Sequence, residues 1–132
     1  MKRSGEMETL QAGDQVTAIY KTGKYAGVIT GAGDRTFTVR VSAVLKHPVQ
    51  GDLHHPKETE GVFFHERKAL AYREQANVPK NMVKPYSGEM PDYTVSLKQA
   101  VKAMKEKLQM EDTPFNSKSL DAHQRLEEEY KI

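Results

Sequence analysis

Apolar and polar positions alternate through the first third of the chain and recur at helical spacing through the last third. After Gly13-Asp14, the residues Val16, Ala18 and Tyr20 alternate with Gln15, Thr17 and Ile19, which marks a strand with one face set for burial. Lys21-Thr22-Gly23-Lys24 supplies a tight connection in which Gly23 is expected to take the positive φ, and residues 25–30 form the return strand. Gly31-Ala32-Gly33-Asp34 makes a second turn. The β-branched run over residues 36–45 then places Phe37, Val39, Val41 and Ala43 on one expected face. Three antiparallel strands in a meander follow from this pattern. Residues 46–61 hold Pro48, Gly51, Pro56, Gly61 and three histidines, so a long surface loop is predicted there. Short strand patterns return at residues 62–65 and 69–73, and residues 76–86 read as a strand, a Pro-started turn and a last short strand.

Beyond Met90-Pro91 the period becomes helical. Tyr93, Leu97, Val101, Met104 and Leu108 fall on one stripe behind Asp92, an N-cap residue type. A second helix is predicted from Thr113-Pro114, a cap followed by proline in the first turn, with Phe115, Ala122, Leu126 and Tyr130 on one side. Two amphipathic helices of this length are marginal alone in water, so the hairpin is expected to pack on the β part. The expected organisation is a flexible N-terminus over residues 1–10, a β domain over 11–88 and a helical subdomain over 89–132.

Composition agrees with that division, since eight of the nine glycines lie at or before Gly61. No run approaches the roughly 18 apolar residues of a membrane-spanning helix, and the opening MKRSGEMETLQAGD has no apolar stretch behind its basic pair. With no cysteine, disulfides, thiol chemistry, cysteine-based zinc sites and lipid attachment through a cysteine within these residues are excluded. A cytoplasmic location is the expectation, with no direct membrane insertion. The formal charge is only +2, from 20 basic and 18 acidic side chains, which is no polybasic signature.

The spacing of Gly13, Asp14, Val16, Ala18 and Tyr20, then Tyr25, Gly27 and Val28, resembles the opening of SH3-like, Tudor-like and KOW-like barrels. Val78-Pro79-Lys80-Asn81-Met82-Val83 is similar to the Pro-containing turn and last strand of SH3 modules. The fold class expected is mainly β with α, an SH3-like antiparallel β-barrel followed by a C-terminal helical hairpin. More blocks resemble one family, kinase-associated protein B of spore-forming bacilli. They are Tyr20-Lys21-Thr22-Gly23, Val44-Leu45-Lys46-His47-Pro48, Gln50-Gly51-Asp52-Leu53-His54, Phe64-His65-Glu66-Arg67-Lys68-Ala69-Leu70-Ala71, Asn77-Val78-Pro79-Lys80, Met82-Val83-Lys84-Pro85-Tyr86 and Pro91-Asp92-Tyr93. The resemblance implies a non-catalytic accessory protein that activates a membrane-bound sporulation sensor histidine kinase feeding a phosphorelay. Membrane proximity would then come through the kinase.

Candidate chemistry is sparse. His47, His54, His55 and His65 match no compact zinc spacing, so no metal or other cofactor is expected. Asp52, Glu58, Glu60, Glu66 and His65 belong to no recognised acid/base motif; no GxSxG, Walker loop, HExxH or kinase signature occurs, and no catalytic residue is assigned. A proline-peptide groove of the SH3 kind would want a Trp, which the chain lacks, and Met82 stands where a groove Tyr would be expected. The densest basic region runs from Arg67 to Lys84. The candidate partner surface is His47, Pro48, Asp52, His54, His55, Arg67, Lys68, Pro79 and Tyr86, taken from loop length and expected exposure. A nucleic-acid or ribosome-associated KOW-type module is the alternative, weakened by the near-neutral charge, and no nucleic-acid partner is expected.

Overall fold

A computed structural model describes residues 10–51 and 64–132. Five antiparallel strands, β1 (Gln15–Tyr20), β2 (Gly23–Ala32), β3 (Thr36–Lys46), β4 (Gln75–Pro79) and β5 (Val83–Pro85), form one sheet in the order β4-β3-β2-β1-β5. A 3₁₀ turn (Lys80–Met82) joins the two edge strands, and two helices follow, α1 (Tyr93–Leu108) and α2 (Pro114–Tyr130). The meander and the strand, turn, strand sequence after it are where the alternation puts them.

The β1–β2 turn differs from expectation in which residues bend. Lys21 at φ 47° and Thr22 at φ 68° take the left-handed conformation that both central residues of a two-residue I′ turn must adopt. The Thr22 hydroxyl accepts the Val49 N–H at 2.9 Å, which ties the turn down. Gly23 is instead the first residue of β2 and is glycine for space: a Cβ there would lie 2.5 Å from the Tyr25 hydroxyl oxygen.

The β2–β3 ladder carries three register irregularities. Between Ala26 and Gly27 the partners jump from Ala43 to Val41, which leaves Ser42 as an extra residue and reverses the alternation beyond it. Val44, and not Ala43, therefore stands across from Tyr25 and packs with Val41. At Gly27 a Cβ would fall 2.1 Å from the Arg40 carbonyl oxygen, so the backbones approach more closely than any side chain allows.

No strand forms over residues 69–73. The Ala69 N–H donates to the Tyr130 hydroxyl at 2.9 Å, the Leu70 N–H to the Tyr25 hydroxyl at 3.2 Å, and the Leu70 carbonyl accepts from the Tyr93 hydroxyl at 2.6 Å. Three tyrosine hydroxyls thus satisfy backbone groups that a strand partner would otherwise serve. A turn follows, with Arg73 at φ 70° donating its N–H to the Val41 carbonyl, before β4 begins. His65 is not in a strand either, while residues 62–63 lie outside the described residues.

Two apolar clusters organise the interior. Leu10, Val16, Ala18, Ile29, Phe37, Val39, Val78 and Val83 fill the first. Tyr25, Val41, Val44, Ala69, Leu97, Ala100 and Val101 fill the second, where α1 docks, and the half-buried Tyr20 packs against both. The Ser96 hydroxyl of α1 accepts the Val44 N–H at 2.9 Å and anchors that helix to β3. The predicted caps are in place, Asp92 accepting from Val95 N–H at 3.0 Å and Thr113 from Asn116 N–H at 3.0 Å. Between the helices, the Asn116 amide donates to the Leu108 and Glu111 carbonyls, and Lys105 pairs with Glu127 at 2.7 Å.

Candidate functional site

The segment after β3 turns inward. His47, Pro48, Gln50 and Gly51 are buried, so the predicted surface loop is interior at its start. The cause is a polar joint where this segment, residues 65–70 and α2 meet. Nδ1 of His47 lies 3.0 Å from the Pro48 carbonyl oxygen, which can only accept, so Nδ1 carries the proton and Nε2 does not. Nε2 then accepts the Tyr130 O–H at 2.9 Å, and the Tyr130 oxygen in turn accepts the Ala69 N–H at 2.9 Å. Every polar atom of a neutral His47 ring is satisfied. Burial holds its pKa below the ordinary histidine value in agreement.

His123 packs against it with ring centroids 4.6 Å apart. Burial foremost, then the neighbouring His47 and Lys105, push its pKa down to about 4. Its Nδ1 and the Ser119 hydroxyl one turn earlier are buried without a hydrogen-bond partner. The tyrosines shift oppositely: burial raises Tyr25 and Tyr93 to about 12 and raises Tyr130 as well. All these groups are held in their neutral forms.

Beside the joint, the Gln50 side chain pairs with the Arg67 backbone as a strand would. Its oxygen accepts the Arg67 N–H at 2.7 Å and its Nε2 donates to the Arg67 carbonyl at 2.9 Å. The Arg67 guanidinium donates to the Gly51 carbonyl at 2.8 Å, and Gly51 N–H donates to the His65 carbonyl at 2.9 Å. The exposed rim above is ionic: Lys68 lies 3.3 Å from Glu129, and Arg125 contacts Glu66.

Of the nine residues of the expected surface, the six that are described occupy different settings. His47 and Pro48 are interior and make no free face, because the joint needs their polar atoms. Arg67 is half-buried in the clamp with Gly51, and Lys68 stays exposed in an ion pair. Pro79 ends β4 at the sheet edge, and the half-buried Tyr86 follows β5 and donates its hydroxyl to the Glu89 carbonyl at 3.0 Å. Asp52, His54 and His55 lie outside the described residues. Sequence reasoning missed Gln50 and His123, and it treated Tyr25, Tyr93 and Tyr130 only as apolar positions. The signal for His123 was available, since it continues the buried side of α2 marked by Phe115, Ser119 and Leu126.

Chemically the His47–Tyr130–Ala69 part of the joint offers hydrogen bonds already made, and the Ser119 hydroxyl and His123 Nδ1 are buried with no hydrogen bond between them. Among the described residues no group of three or more His, Asp or Glu side chains is placed to hold a metal ion. The arrangement fixes one surface across sheet and helices.

Comparison with known proteins follows the same outline. The profile of the family described as "Kinase associated protein B" matches residues 20–131. The chain is 52% identical over 124 residues to a protein of Bacillus subtilis (strain 168) named kinase-associated lipoprotein B, covering 94% of this chain and 97% of that one. It also superposes on the crystal structure of kinase-associated protein B from Bacillus cereus with a TM-score of 0.81 and 45% identity, over 94% of this chain and all of that one. A match of this extent, across sheet, joint and both helices, shows that the chain belongs to the kinase-associated protein B family.

Proposed function

We propose that this protein is a non-catalytic accessory factor that binds a membrane-bound sporulation sensor histidine kinase and favours its active state, so that phosphate flows into a phosphorelay. Family membership over nearly the whole chain carries this reading, because both relatives are named for association with a kinase. The site supports it: His47, Tyr130, Tyr25 and Tyr93 are engaged in hydrogen bonds that hold the strand, loop and helix segments together. An activator must bind the active conformation better than the inactive one, and about 1.4 kcal/mol of preference shifts that balance tenfold.

In this reading the five strands are an SH3-like barrel, supported by the 3₁₀ turn that carries the chain from one sheet edge to the other. The contact surface includes Lys68, Arg67, Pro79 and Tyr86, with His47 and Pro48 acting from beneath. The protein works peripherally at the inner face of the membrane, reached through the kinase. No helix among the described residues is long and apolar enough to cross a membrane, and the 132 residues contain no cysteine to carry a thioether lipid.

The test is reconstitution of the full chain with the kinase in membranes. Autophosphorylation is expected to rise on addition of the protein and to fall back with Lys68→Glu. Unchanged autophosphorylation together with no retention of the protein on kinase-containing membranes refutes the proposal.

A further inference from the structure

The near-neutral net charge conceals a one-signed face. From Gln15 to Gly51 the chain holds a single acidic residue, Asp34, and that lies in the β2–β3 turn at the far end of the meander. At the near end, Ile19 of β1 pairs with Lys24 of β2, and Lys24 pairs with Lys46 of β3. Residues directly opposite in antiparallel strands share a face, so Ile19, Lys24 and Lys46 form one row across three strands. Thr17, on the same side of β1 as Ile19, pairs with Lys84 of β5, which adds a third lysine. All three lysines are exposed, and none of their side chains makes an ion pair or hydrogen bond with another described residue. Ile19 is 45% exposed in their midst, and Leu45, the extra residue of the bulge beside Lys46, is 36% exposed.

The sheet's own stability does not account for the pairing of Lys24 with Lys46. Like charges directly opposite one another destabilise a sheet. Lysine protects edge strands from unwanted pairing, which suits Lys84 on β5 and Lys46, where β3 has run past its pairing with β4 at Arg40, but not Lys24, which has β1 on one side and β3 on the other. We infer that this face of the sheet adsorbs to an anionic lipid surface, independently of the kinase contact. Two features favour a bilayer over an acidic protein or nucleic acid. Protein interfaces favour arginine and aromatic residues and are depleted in lysine, whereas the charged residues of this row, Lys24, Lys46 and Lys84, are all lysine and its exposed apolar ones, Ile19 and Leu45, are aliphatic. Lysines around exposed aliphatic groups suit the boundary between headgroups and acyl chains, where each basic residue strengthens binding by about fivefold.

The experiment is cosedimentation of the full chain with vesicles of phosphatidylcholine alone or mixed with phosphatidylglycerol. The wild-type protein is expected to pellet with the anionic vesicles only, and less as salt rises. Lys24→Gln, Lys46→Gln and Lys84→Gln combined are expected to weaken that binding on the order of a hundredfold. The same number of charges removed from α1, as Lys98→Gln, Lys102→Gln and Lys107→Gln, should leave most of it. Ile19→Ser should lower the binding that persists at high salt. Glutamine keeps each position exposed and polar, and circular dichroism with thermal melting confirms the fold. Should the triple variant fail to fold, the Lys24→Gln and Lys46→Gln single variants carry the comparison, each expected to lose about fivefold. Equal binding to both vesicle types overturns the inference. So does an equal loss in the α1 variant, or retention on RNA or an acidic peptide without retention on vesicles.

Discussion

Replacing Tyr130 by Phe removes one oxygen and leaves the ring. That oxygen accepts the Ala69 N–H and donates to His47 Nε2, both at 2.9 Å, and both partners are buried. A neutral hydrogen bond contributes about 1 kcal/mol net, and a buried group left unsatisfied costs about 1–3 kcal/mol. Some of that penalty is relieved because Tyr130 is only half-buried and water can approach the vacated side. The expected loss is about 2 kcal/mol, which for a chain of this size lowers Tm by roughly 6–10 °C. The assay is urea and thermal unfolding near pH 7.5, with Tyr86→Phe alongside. The Tyr86 hydroxyl donates only to the Glu89 carbonyl at an exposed position, so its loss should cost less than about 0.5 kcal/mol. If the two variants lose equal stability, the joint does not hold the helices to the sheet and the structural role assigned to His47 fails with it.

Acid should weaken the fold through the paired histidines. Their folded pKa values lie below the unfolded value, so the unfolded chain binds more protons and stability falls as pH drops from about 6.5 toward 4. His123→Leu should flatten that decline while leaving stability at pH 7.5 within about 1 kcal/mol, because Nδ1 has no partner to lose; melting curves across pH decide it. In alkali the sign reverses, and titration of Tyr25 and Tyr93 should remove stability between about pH 10 and 12. Gly27→Ala should cost several kcal/mol or abolish folding, since its Cβ would overlap the Arg40 carbonyl, as proteolysis of the expressed protein would report. Thr113→Ala should cost about 1 kcal/mol by freeing the Asn116 N–H, measured by denaturant titration.

What was legible in the sequence was local. The alternation through β1 and early β3, the Asp92 and Thr113-Pro114 helix starts and the helical stripes depend on neighbouring residues, and each is in place. The reversal at Ser42 was not legible, because it answers to Gly27 meeting Arg40 across the ladder. The same holds for residues 69–70, whose backbone partners are hydroxyls 45 and 61 residues away. Residues 47–51 carried proline, histidine and glycine, the composition of an exposed loop. Only their distant partners Tyr130, Thr22 and Arg67 draw them inside. The family blocks were visible in the sequence, whereas the exposure expected of His47 and Pro48 from loop composition gives way to burial.

Tyr20 touches both apolar clusters. A ring shared between two cores makes them one cooperative unit: neither can loosen without disturbing the other's packing, so the helices and the sheet should exchange their protected amides together. For a protein whose surface spans both parts, an event felt at the helices is then transmitted to the strands as a change in rigidity, with no part moving far.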